Sequence, residues 1–113
     1  VAQIVGNLTR RFAELDVFPA SGGACLEVGA GLAWASRACK QHDPRILTVV
    51  QNVSGECAKL CPWVDRYHVG TVDSLPAGER YQLISLTHVI EHLLEPRRML
   101  ATLAGKLAPG GYL

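Results

Sequence analysis

Val1, Ile4, Val5, Leu8, Phe12 and Leu15 recur at helical spacing while Arg10, Arg11 and Glu14 fall on the opposite side, so residues 1–15 predict an amphipathic packing helix. Pro19 and the glycines that follow break this pattern. Ala24-Cys25-Leu26-Glu27-Val28 then reads as a short buried strand ending at Gly29, and the Ala-rich stretch 33–40 as a helix stopped by Gln41-His42-Asp43-Pro44. Ile46-Leu47-Thr48-Val49-Val50 is nearly all apolar, the signature of a strand covered on both faces and therefore central. Ser54 predicts the cap of a short helix through Leu60, ended by Pro62, and Tyr67-His68-Val69 a third strand before a turn-rich stretch. Leu83-Ile84-Ser85-Leu86-Thr87 predicts a fourth strand. Pro96 opens a last helix with Met99, Leu100, Leu103 and Leu107 on one face, closed by Pro109-Gly110-Gly111. Strands alternating with helices imply βαβ units, hence a parallel sheet with helices on both faces. Ligands of such sheets bind beyond the carboxyl ends of the strands. The loops after Val28, Val50, Val69 and Thr87 are therefore where chemistry is expected.

Composition narrows the function classes. The 113 residues suggest one domain, and 49% hydrophobic with 19% charged residues describe a folded protein rather than a disordered one. Eleven Lys and Arg against ten Asp and Glu leave a net charge of +1, so there is no strong nucleic-acid or anionic-lipid signal. No apolar run spans a bilayer. Cys25, Cys39, Cys57 and Cys61 lack the spacing of a zinc knuckle or a redox pair, which fits reduced thiols and a cytoplasmic location. Cys57 and Cys61, four apart on the expected short helix, admit a metal site with His42 or His68; packing residues without a metal are the favoured reading. The chain starts at Val1 and stops at Leu113, just after an expected turn. The expectation is a single partial domain, with residues 1–18 as a packing helix and 24–113 as the core. An exposed sheet edge is then expected to favour self-association.

Glu27-Val28-Gly29-Ala30-Gly31 places two glycines between a strand and a helix, where a backbone without Cβ atoms can pass close to a ligand. A dinucleotide fingerprint wants a third small residue three positions past Gly31, so that the helix start can approach a pyrophosphate. That residue is Trp34, and the second strand ends in Gln51-Asn52 rather than in the acid a ribose would need. Both observations argue against NAD or FAD.

Several segments resemble the class I S-adenosylmethionine-dependent methyltransferases. Leu26-Glu27-Val28-Gly29-Ala30-Gly31 is similar to that family's first motif, with Ala33 where a third glycine is common. Val53-Ser54-Gly55-Glu56 resembles its ribose-binding region. The most specific likeness is Thr87-His88-Val89-Ile90-Glu91-His92-Leu93 followed by Leu107-Ala108-Pro109-Gly110-Gly111. The resemblance implies a Rossmann-like, doubly wound, mostly parallel sheet in a three-layer αβα arrangement, here truncated after the start of the fifth strand.

It also implies S-adenosylmethionine as cofactor, methyl transfer to an unidentified acceptor, and cofactor contacts from Glu27, Gly29, Ala30, Gly31, Asn52, Val53, Thr71, Asp73, Thr87 and His88. Asn52 stands where the family usually has an acid for both ribose hydroxyls, and an amide is a poorer bidentate acceptor. Gln82 replaces an aspartate common inside the fourth strand. His88 and His92 are the candidate proton acceptors, since imidazole titrates near neutrality, against a reading in which they only line the pocket or bond backbone. Trp34 is expected to pack over the glycine turn and Trp63 to cover a sheet edge. A degenerate cofactor-binding or structural module without catalysis is the alternative.

Overall fold

The computed structural model describes residues 2–86 and 93–113. Helix α1 (Ala2–Leu15) precedes strand β1 (Ala24–Val28), helix α2 (Trp34–His42), β2 (Leu47–Asn52), β3 (Arg66–Val69), β4 (Tyr81–Leu86), helix α3 (Pro96–Ala104) and β5 (Leu107–Tyr112). The five strands form one sheet in the order β3-β2-β1-β4-β5, and every neighbouring pair is parallel. The chain winds outward from β1 through β2 to β3, then returns to the other side of β1 with β4. The order therefore reverses between β1 and β4, where the carboxyl ends of Val28 and Leu86 lie side by side.

Both faces of the sheet are covered, which is why its strands are apolar with little alternation. Leu26, Val28, Val49 and Ile84 pack with Leu103 of α3 and with Val72 and Leu75 of the loop after β3. On the opposite face Cys25, Leu83 and Ile46 meet Cys39 of α2 and Phe12 of α1, while Val50 meets Ala33 and Cys61. The layers are thus α1 and α2, the sheet, and α3.

Three local expectations change. Residues 54–60 do not form a helix capped by Ser54: the Ser54 hydroxyl accepts the Glu56 N–H at 3.2 Å, and only Ala58–Leu60 complete a single 3₁₀ turn. Gly55 runs so close to β3 that a Cβ there would come within 3.2 Å of Val69 Cγ2, so the path is set by the sheet rather than by helix propensity.

Ala33 is not the first helical residue of α2 but its N-cap, in a left-handed conformation (φ 54°, ψ 48°). Finally, Pro109-Gly110-Gly111 does not close a helix ahead of a strand. The helix ends at Ala104, Leu107 already pairs with Tyr81, and Tyr112 pairs with Leu83, so the Pro-Gly-Gly segment is a bulge inside β5. A Cβ on Gly111 would stand 3.0 Å from the carbonyl oxygens of both Ala108 and Tyr81, which only glycine avoids, and proline is tolerated because the bulge already interrupts the ladder there. The fifth strand is thus six residues long rather than a start at Gly111.

Candidate functional site

Three strand ends line up at the carboxyl edge of the sheet. The Gly29 N–H donates to the Gln51 carbonyl at 2.8 Å, and the Gly70 N–H to the Asn52 carbonyl at 2.8 Å, so the glycine turn, the end of β2 and the loop after β3 are adjacent. Gly29 (φ 62°), Gly31 (φ 57°) and Ala33 all hold left-handed backbone. A Cβ on Gly31 would meet no protein atom within 4 Å, so the protein requires glycine there for its dihedral, and the turn's outer side is open to a ligand.

Glu27, near the end of β1, is 4% exposed. Its carboxylate accepts the Ser36 N–H and the Ser36 hydroxyl, both at 2.8 Å, and the Ala35 N–H at 3.4 Å. Helix α2 has no side-chain cap of its own and no acid in its first turn, and Glu27 supplies both from a neighbouring strand. Burial pushes its carboxyl above the usual range, against the opposing pull of the bonds from Ser36 and Ala35. Glu27 also borders a cavity of about 470 Å³ walled by Ile4, Asn7 and Leu8 of α1 and by Ala30, Trp34 and Ala35. Trp34 therefore lies beside the glycine turn, facing α1.

Asn52, half-buried at the end of β2, donates from Nδ2 to the Tyr67 hydroxyl at 3.2 Å. Among the described residues this is its only side-chain hydrogen bond, and Oδ1 remains able to accept another donor. Gln51, the neighbour that also suits a ribose contact, is buried and donates to the Gly70 carbonyl at 2.6 Å, tying β2 to the loop after β3. Val53 is 74% exposed. Thr71 and Asp73 are exposed and line one cavity of about 290 Å³ with Leu93, Leu94, Glu95, Arg98 and Met99. Thr87, His88 and His92, with most of the Thr87–Leu93 motif, lie outside the described residues.

Trp63 does more than cover a sheet edge. Its indole N–H donates to the Ala33 carbonyl at 2.9 Å, and the Arg37 guanidinium lies 4.8 Å from its ring centroid. Cys61 Sγ is 3.7 Å from the Gly31 carbonyl. The segment after β2 thus grips the glycine turn from behind, a role that no local pattern around Trp63 signals. Nor did the sequence single out Ser36 or Tyr67, whose partners come from other strands. The residues of the alternative metal reading point to separate partners: His42 stacks on Phe18 at 3.9 Å, His68 Nε2 bonds Ser74 Oγ at 2.7 Å, and Cys61 faces Gly31. Among the described residues no three His, Cys, Asp or Glu side chains gather as a metal site. Cys25 and Cys39 are free and buried, and the hydrogen bond that the Cys39 thiol donates to Cys25, followed by burial, pushes that thiol far up, so it stays protonated. No described helix is long and apolar enough to cross a membrane.

Solved structures share this architecture. The plantazolicin methyltransferase BpumL in complex with SAH superposes with a TM-score of 0.74 at 14% identity, covering 95% of this chain and 43% of that one. Coclaurine N-methyltransferase bound to N-methylheliamine and SAH gives 0.72 at 14% identity, covering 95% and 34%. SAM-bound CalS10, an amino pentose methyltransferase from Micromonospora echinaspora involved in calicheamicin biosynthesis, gives 0.66 at 21% identity, covering 97% and 46%. The chain therefore spans less than half the length of each. No curated protein matches it. The family profile described as "Methyltransferase domain" matches residues 3–113, nearly the whole chain. On that match, and with the parallel sheet and glycine turn it accompanies, the chain belongs to the methyltransferase-domain family.

Proposed function

We propose that this chain binds S-adenosylmethionine along the carboxyl edge of β1 and β2 and takes part in methyl transfer to an acceptor whose chemistry is not yet identified. The observation that carries the reading is the glycine turn: three alternate left-handed positions at Gly29, Gly31 and Ala33, open on the outer side, at the point where the strand order reverses. The SAH- and SAM-bound methyltransferases of the same fold support it.

The residues fit such a cofactor. Gly29, Ala30 and Gly31 would receive its methionine part, with the Glu27 carboxyl behind them. Asn52 Oδ1 would accept a ribose hydroxyl, Val53 would flank the same group, and Thr71 or Asp73 would face the base. When bound, the cofactor supplies a methyl group on a cationic sulfur, a strong electrophile that needs an in-line nucleophile more than an acid. The protein's part is then to position that nucleophile and exclude water. A proton released by the acceptor would pass to His88 or His92. Residues 24–113 form the cofactor core in this reading, and α1 contributes the far wall of the cavity beside Glu27.

Isothermal titration calorimetry tests the reading. SAH and S-adenosylmethionine should each bind saturably, while NAD should not, because Trp34 stands where a pyrophosphate needs a close helix approach. Saturable NAD binding without a response to either sulfur compound would overturn it.

A further inference from the structure

Ala33 and Asp16 are the non-glycine residues with positive φ among those described, and Asp tolerates this conformation far better than Ala does. Ala33 is fully buried beside Val50 and Cys61, so its methyl group belongs to the core while its backbone sits in a disfavoured region. Such a conformation persists only where surrounding structure imposes it. The α2 helix does so in part, through the Arg37 N–H donating to the Ala33 carbonyl at 3.0 Å. The same carbonyl accepts the Trp63 indole N–H at 2.9 Å, from a residue thirty positions away, whose ring is covered by Arg37. One acceptor is thus held by two donors from different elements, directly behind the glycine turn.

We propose that Trp63 is a positioning residue for the cofactor turn: its indole N–H fixes the Ala33 carbonyl and so holds Gly29–Ala33 in the left-handed sequence that receives S-adenosylmethionine. This rests on the function proposed above. It also accounts for alanine at a position where glycine would carry no strain. Ala33 keeps a buried methyl for packing, and Trp63 holds the backbone that the methyl disfavours.

Trp63→Phe keeps an aromatic ring under Arg37 while removing the N–H donor together with part of the indole's packing. In the 113-residue chain, amide hydrogen exchange at residues 30–36 should accelerate roughly tenfold while exchange in β2 and β4 is unchanged. The Kd for SAH should rise about five- to tenfold, the loss of one hydrogen bond's worth of organisation. Ala33→Gly, which relieves the φ strain, should restore the Kd of the double variant to within about twofold of the unchanged protein. A purely structural Trp63 would behave differently: exchange would accelerate across the whole domain, or thermal stability would fall with the SAH Kd unmoved. Either result overturns the proposal, as does a double variant no better than Trp63→Phe alone. Absence of SAH binding by the unchanged chain would instead sink the cofactor reading itself, and with it the claim that the turn is held for a cofactor.

Discussion

Asn52 shows how a single residue changes meaning once its neighbour is visible. Its amide looks like a weakened carboxylate, yet Nδ2 is directed to the Tyr67 hydroxyl and Oδ1 is presented on the other side, so the acceptor face is retained. Asn52→Asp should let one carboxylate oxygen accept from Tyr67 and the other from the ribose, as a charged acceptor. SAH binding should tighten by about 1 kcal/mol, roughly five- to tenfold, in calorimetry. A folded variant with unchanged affinity would place the ribose elsewhere. Gln82 also loses its significance as a departure. Its Oε1 accepts the Ala24 N–H at 2.5 Å, at the amino end of β1 and away from the glycine turn, so the amide ties β4 to the start of β1.

At the level of elements, β2 and α2 are joined by a carboxylate. Asp65 accepts the Thr48 N–H at 2.9 Å and the Lys40 ammonium at 2.6 Å, while the Thr48 hydroxyl donates to the Trp63 carbonyl. Burial pushes the Asp65 carboxyl up, but the bonds from Lys40 and Thr48 outweigh it and hold it below its ordinary value of 3.8. A carboxylate lowered on folding stabilises the native state above its unfolded pKa, and that contribution is lost as pH falls through the lower folded value. Asp65→Asn should therefore cost about 1 kcal/mol near neutrality, a modest figure because the side chain is 41% exposed and screened by solvent. The gap should close below about pH 4 in urea melts run across pH. A gap constant from neutral to acid pH would mean that the charge plays no part.

The whole molecule depends on a sheet buried on both faces. Its radius of gyration, 13.0 Å, matches the ~13 Å of a compact domain of about 100 residues, so α1 is packed with the core rather than extended from it. Leu26 and Ile84 are each 1% exposed, face each other across β1 and β4, and touch the layer that carries Leu103. Ile84→Ala should destabilise by about 2–5 kcal/mol in chemical denaturation, a large share of the ~5–15 kcal/mol typical of a domain. Leu60→Ala, at a position 60% exposed, should stay within about 0.5 kcal/mol. Similar losses at both positions would contradict the assignment of the core.

The amino-acid sequence by itself determined the alternation of strands with the three α-helices, the parallel architecture and the glycine turn; it placed Ile46–Val50 inside the sheet, where β2 is indeed flanked on both sides, although the middle strand is β1. Each of these is written in local spacing, as runs of apolar residues, breakers and positions that demand positive φ. It also carried the motifs that place the chain in its family. What only the tertiary structure decided are contacts between distant segments: Glu27 capping α2, Tyr67 orienting Asn52 and Trp63 holding Ala33. The same holds for Pro109-Gly110-Gly111, which locally reads as a turn and becomes a bulge because Leu107 and Tyr112 pair with β4 on either side of it. Local patterns report which side of an element is buried. Which partner a buried polar group meets depends on how the strands are ordered in space, and strand order joins residues that no spacing rule connects.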